Sequence, residues 1–195
     1  GAELVVIKVF DGYAGNDMDR LKEAISLAAN MGVQVVNLSL GYSGLPASER
    51  QQLEDLINNI SISRGITFCV SAGNLGPGLG SITSPAGSSR SISVGGFLSP
   101  AMWSLNYGWK VEQSTLWQFS SVGPWAGGTA PLVVAPASAV TTDACWRNSY
   151  VLEEGTSIAA PYAAGGVALL IQAASQEGIA VSPDLLRLAV SRGAE

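Results

Sequence analysis

A three-layer α/β domain, with helices on both faces of a mainly parallel sheet, is the fold class the sequence predicts, and two observations predict it. Short apolar runs bounded by glycine, proline and serine alternate with stretches of helical periodicity, the pattern of buried strands joined by crossover helices. A chain of 195 residues, 47% hydrophobic and 13% charged, is also long enough to enclose one substantial core.

Leu4-Val5-Val6-Ile7-Lys8-Val9 reads as a first strand. Asp17-Met18-Asp19 then brings acidic and capping residues to a helix from about Met18 to Asn30, with Leu21, Ile25, Ala28 and Ala29 on one face and Gly32 as its stop. Val33 to Leu38 is the second strand. Ser48 to Ser63 is the second helix, carrying Leu53, Leu56, Ile57 and Ile60 at helical spacing and stopped by Arg64-Gly65. Ile66 to Val70 is the third strand, and further strands follow at Ser91 to Val94 and Leu132 to Val134. A long helix from about Ser157 to Ala174, apolar nearly all round from Ile158 to Leu170, is expected to run through the core. A last helix spans Pro183 to Ser191.

Several function classes are excluded by composition. Fifteen acidic residues outnumber ten basic ones, and the basic ones form no stripe for nucleic acid. Two cysteines, Cys69 in an apolar strand and Cys145 in a polar loop, make neither a disulfide framework nor a metal site, and their pairing is left open. No basic-then-apolar leader opens the chain, which leaves the compartment undetermined. The apolar helix is interrupted by Pro161 and Gly165-Gly166 and lacks a basic flank, so no membrane span is expected. The glycines near Asn74 are followed by no Lys-Ser/Thr, which argues against a phosphate loop.

In open α/β sheets ligands bind beyond the carboxyl ends of the strands. Three segments stand at such places: Asn37-Leu38-Ser39-Leu40-Gly41, Ser71-Ala72-Gly73-Asn74, and Gly155-Thr156-Ser157 at the mouth of the long helix. A helix N-terminus offers unpaired N–H groups and partial positive charge, so Ser157 is well placed to bear an oxyanion. Gly155 permits a tight turn ahead of it, and Pro161 falls near the first turn, where few backbone bonds are lost. A serine hydroxyl needs a neighbouring base before it attacks a carbonyl carbon, yet the sequence holds no histidine. Each segment also has a plain reading: an N-cap serine or threonine for Gly-Thr-Ser, a turn asparagine for Asn74, a strand end for Ser39 to Gly41.

Taken in order, and with Ser84-Pro85-Ala86, Ile92-Ser93-Val94-Gly95, Phe119-Ser120-Ser121-Val122-Gly123-Pro124 and Val133-Val134-Ala135-Pro136, these motifs resemble the subtilisin-like serine peptidases over nearly the whole chain. The resemblance implies that Ser157 is the nucleophile and that Asn74 shares the oxyanion with the Ser157 N–H. It implies that Ser39, Leu40 and Gly41 pair with a bound peptide, and that the small residues Ser71, Ala72 and Gly73 leave room for it. Sedolisin-like peptidases share Gly-Thr-Ser but place an aspartate where this chain has Asn74. The segment from Phe97 to Trp117, with Trp103, Tyr107, Trp109 and Trp117, is longer than in the simplest subtilisins and resembles the pyrolysin and tripeptidyl-peptidase branch; its aromatics are expected mainly to pack.

Departures accompany the matches. The family's aspartate strand and histidine helix would lie ahead of Gly1, and a closing segment would lie beyond Ser191, so the subtilisin-like domain is expected to be incomplete at both ends. Its partners are then a protein or peptide substrate and the amino-side segment of the same domain. Tyr162 stands where relatives often have histidine, and Ala137 where glycine is usual. No cofactor is evident; the family admits a structural calcium ion, for which the sequence identifies no site. The family is often secreted. A sheet without its neighbouring strands is expected to expose an edge and to self-associate.

Overall fold

The computed structural model describes residues 1–10, 18–125, 128, 130–143 and 146–194. Asp17 of the expected helix cap and Cys145 lie outside the described residues. In chain order the elements are α1 (Met18–Asn30), β1 (Val35–Leu38), α2 (Ala47–Arg64), β2 (Thr67–Ser71), β3 (Ile92–Leu98), α3 (Pro100–Tyr107), β4 (Thr115–Leu116), β5 (Val133–Pro136), β6 (Ser138–Thr142), β7 (Tyr150–Glu154), α4 (Thr156–Gln176) and α5 (Pro183–Gly193).

β1, β2, β3 and β5 run parallel, with Val36 opposite Phe68, Cys69 opposite Ile92 and Val94 opposite Val133, while the short β4 pairs antiparallel with the end of β3. Successive side chains of a strand point to opposite faces. Accordingly Phe68 and Val70 join Leu21 and Ile25 of α1 and Leu53 and Ile57 of α2 in one core. Cys69, Ile92 and Val94 join Ala159, Ala160 and Val167 of α4 and Leu186 of α5 in another. The result is the expected α/β/α sandwich.

Local chemistry sets the element ends. Gly65 ends α2 in the left-handed region at φ 67°, its N–H donating to the Ser61 carbonyl. Ser182 caps α5 by accepting from Leu185 N–H, with Pro183 in the first turn. Ser99 and Pro100 play the same parts for α3, and Gly108 closes it. Over the described residues, the expected packing role of the aromatics holds for Trp117 with Leu98 and Ala137, and for Trp103 with Tyr107 and Trp109.

Two expectations are corrected. Residues 4–9 form no strand: Leu4 and Val6 are 86% and 90% exposed, and no ladder joins them to the open edge of β1. A β-branched run is a strand only when its backbone groups are paired. The long helix, too, does not pass through the core. α4 buries Thr156, Ala159, Ala160 and Val167 against the sheet and leaves Tyr162, Leu169 and Leu170 exposed. It is long and apolar enough to cross a membrane by composition, but here one of its faces packs on the strands. Ala137 is fully buried where Gly96 leaves space, since a Cβ on Gly96 would stand 2.6 Å from that of Ala137. The β6–β7 hairpin was not foreseen; its strands are largely exposed and alternate weakly.

Candidate active site

The exits of β1 and β2 and the start of α4 meet at one place. Gly155 precedes α4 at φ 140°, a conformation L side chains rarely adopt, and its N–H donates to the Ala137 carbonyl at 2.8 Å. Gly155 has no side chain to cap the helix, and the cap comes from another loop. Asn74 Oδ1 accepts from the N–H of Thr156 at 3.0 Å and from its hydroxyl at 2.8 Å. Thr156 Oγ1 in turn accepts from the Gly73 N–H at 3.1 Å. Thr156 is 1% exposed, so the middle of this chain of bonds is buried while Asn74 at its end reaches the surface.

One end of the Asn74 amide is thereby committed as acceptor, which turns its NH₂ group the other way. A Cβ on Gly155 would lie 3.1 Å from Asn74 Nδ2 and 3.6 Å from Ser157 N, so both donors border the same small space. Among the described residues neither Asn74 Nδ2 nor the Ser157 N–H is engaged.

Ser157 and Ser39 are joined twice. The Ser157 hydroxyl donates to the Ser39 carbonyl at 3.1 Å, and the Ser39 hydroxyl donates to the Ser157 carbonyl at 2.7 Å. Asn37 Nδ2 donates to Ser39 Oγ at 3.0 Å. An α-helical carbonyl normally accepts from the N–H four residues on; for Ser157 that residue is Pro161, which has no N–H. Pro161 is thus in the second turn, further inside α4 than expected, and the hydroxyl of Ser39 supplies the donor it lacks.

Leu40 accepts from Ser71 Oγ at 3.4 Å, which ties the two strand exits together. Gly41 keeps both backbone groups unengaged among the described residues, as pairing with an added strand requires. A Cβ there would stand 2.3 Å from Thr83 Oγ1. Ala72 donates to the Val94 carbonyl and accepts from Thr83, and Gly73 accepts from the Ser121 N–H. Ala72 and Gly73 can therefore wall a groove but have no backbone hydrogen bonds left to offer it. Gly73 has φ 112°, and a Cβ on it would press on Thr83 and Ser121, so its smallness serves the packing of those loops.

The structure thus gathers Ser157, Asn74, Ser39, Leu40, Gly41, Ser71, Ala72 and Gly73. Sequence reasoning missed Thr156, which orients Asn74, and Thr83, which holds Ala72. The proline four residues after Ser157 was the available signal for the role of Ser39. Cys69 points to the α4 core, and burial pushes its thiol up to about 12, so it is no nucleophile. Among the described residues no three His, Cys, Asp or Glu side chains converge on a metal position.

A nucleophile-type serine at a helix mouth, beside an amide and a strand-like segment on an α/β/α sheet, defines a class of peptide-cleaving folds. The chain belongs to the subtilase family, whose profile matches residues 1–193. It is 30% identical to pyrolysin of Pyrococcus furiosus over 214 residues, covering all of this chain and 15% of pyrolysin. It is 35% identical to tripeptidyl-peptidase 2 of Oryza sativa subsp. japonica over 204 residues, again covering all of this chain and 15% of the relative. Subtilisin Savinase of Lederbergia lenta is 29% identical over 172 residues, 88% of this chain and 54% of Savinase. Among solved structures, a cold adapted subtilisin-like serine proteinase superposes with TM-score 0.70 at 22% identity, over 95% of this chain and 57% of that one. The patellamide maturation protease PatA gives TM-score 0.70 at 20% identity, over 92% and 60%. These structural likenesses establish the fold. The chain spans about one-seventh of the length of pyrolysin and tripeptidyl-peptidase 2.

Proposed function

We propose that this chain carries the nucleophile side of a serine peptidase, hydrolysing peptide bonds through an acyl-enzyme on Ser157. Asn74 Nδ2 and the Ser157 N–H are the oxyanion donors, and Ser39 to Gly41 hold the peptide as an added strand, walled by Ser71, Ala72 and Gly73. The observation that carries this reading is the clamp of Thr156 on Asn74 Oδ1, which leaves the NH₂ group and the Ser157 N–H facing one space. Donors fixed before charge develops stabilise it without reorganisation. The base that receives the Ser157 proton comes from outside these 195 residues, which contain no histidine. Without it, turnover falls by about 10⁶, the magnitude known for a subtilisin.

A second reading, a peptide-binding module without catalysis, is favoured by one observation: the Ser157 hydroxyl is spent on the Ser39 carbonyl. Labelling by a fluorophosphonate, mapped by mass spectrometry, separates the two. Modification of Ser157 in the protein as its cells make it, lost in Ser157→Ala, supports the peptidase. A protein that binds peptides and never labels is the module.

A further inference from the structure

Beside the groove lies a cavity of about 230 Å³ that the mechanism above does not use. Tyr42 and Leu45, which continue the chain from Gly41, form one side; Leu75, which follows Asn74, forms another; Arg50, Ser84 and Trp125 are also in its wall. The cavity therefore opens between the two segments that flank the candidate site. A peptide lying along Ser39 to Gly41 sends alternate side chains to either side, and this cavity adjoins both segments.

The chemistry of its wall is specific. The Arg50 guanidinium lies 5.0 Å over the Trp125 ring, a stacking that fixes its plane. Among the described residues no acceptor engages its N–H groups. Ser84 is 1% exposed, and its Oγ and Trp125 Nε1 face the Glu54 carboxyl without closing a hydrogen bond to it. Buried donors without partners are costly. The room for Trp125 is itself built in, since a Cβ on Gly87 would stand 1.8 Å from Trp125 Nε1. Glu54, one turn along α2 from Arg50, is the carboxyl on which Arg50, Trp125 and Ser84 act, but it makes no ion pair with Arg50 within 4.0 Å. It stands behind the wall and does not line the cavity. The lining thus offers apolar sides and a cation held by stacking.

We infer that this cavity receives a substrate side chain ending in a carboxylate, glutamate or aspartate, with Arg50 as the selecting residue. The inference rests on the peptidase reading for its place in catalysis. Lysine is rejected because its ammonium would meet the guanidinium. Glutamine, of the same shape and uncharged, makes hydrogen bonds of the weaker neutral kind.

The test uses peptidyl diphenyl phosphonates that differ only in the residue next to phosphorus: Glu, Gln, Leu or Lys. Ser157 Oγ bonds to phosphorus and phenoxide departs, so the labelling rate at Ser157 reads the fit of that side chain. Glu should react about tenfold faster than Gln, the scale of a hydrogen bond to a charged group, with Lys slowest. Arg50→Gln should bring Glu down to Gln and leave Leu unchanged, and Arg50→Lys should keep part of the preference. A preference for Leu or Lys, or a Glu preference that survives Arg50→Gln, overturns the inference. Should even a plain fluorophosphonate fail to label Ser157, the peptidase reading falls instead. The cavity is then decided by Trp fluorescence titration with acetylated peptide amides: tighter binding of the Glu peptide than the Lys peptide, abolished in Arg50→Gln, upholds it, and equal binding overturns it.

Discussion

Ser39 and Ser157, 118 positions apart, exchange hydrogen bonds in both directions: each hydroxyl donates to the other's backbone carbonyl, at 2.7 and 3.1 Å. The shorter bond repairs the gap that Pro161 leaves in α4. Ser39→Ala should therefore orphan the Ser157 carbonyl and cost about 1–3 kcal/mol, read by chemical denaturation. Pro161→Ala restores the missing N–H, and the double variant should recover most of the loss. If the two substitutions are merely additive, the repair role is wrong.

Asn74→Ala removes the cap on Thr156 and, on the proposed reading, one oxyanion donor. Labelling of Ser157 by a fluorophosphonate in the intact protein should slow by about 10²- to 10³-fold, the magnitude known for a subtilisin. Stability should fall by about 1 kcal/mol through the lost cap. A stability loss with no change in labelling would remove Asn74 from the chemistry.

Thr156→Val keeps the shape of the side chain and deletes its hydroxyl. The Gly73 N–H then loses its acceptor and Asn74 one of its two donors. We expect a fall of about 1–3 kcal/mol for the buried groups left unmatched. We also expect slower labelling although Thr156 touches no substrate. Thr156→Ser should rescue both.

Burial raises the Glu54 carboxyl above its ordinary value of 4.5, against the opposing pulls of Trp125, Arg50 and Ser84. The folded state therefore binds this proton more tightly than the unfolded state. Its contribution to stability is complete below the ordinary glutamate range and is lost as pH rises through the raised value. Glu54→Gln should be more stable than the parent at neutral pH and lose that advantage in acid. Urea midpoints across pH check the sign.

Cys69 is fully buried, with its thiol pushed up to about 12. At neutral pH iodoacetamide should leave it untouched in the folded chain and modify it in denaturant. The rate of modification then reports the opening of the α4 core. Prompt labelling under native conditions would place Cys69 in a mobile region.

The parallel strands and their helices were legible because burial on both faces writes itself as short apolar runs, Thr67 to Ser71 being the plainest. Site residues were legible because strand exits and a helix mouth carry them. Leu4 to Val9 misled, since alternation says what a segment can bury and not whether a partner strand is there. α4 misled for a related reason: Ala, Gly and Leu all round the helix do not reveal which face meets the sheet. α3 could have been found from Ser99-Pro100 and Gly108. The hydrogen bonds of Thr156 could not, because they join loops far apart in the chain.

The clamp on Asn74 grips only its oxygen. Thr156 would hold an aspartate at position 74 by the same two bonds, and the freed end would become a second carboxyl oxygen in place of an NH₂. Such a group, when protonated, offers and withdraws a hydrogen, whereas an amide only offers one. On the proposed reading, a single exchange of nitrogen for oxygen would thus move the site from fixed-dipole stabilisation towards proton donation with no change in scaffold. The framework around Thr156 is a socket that constrains position and leaves the acid–base character of its occupant open to substitution.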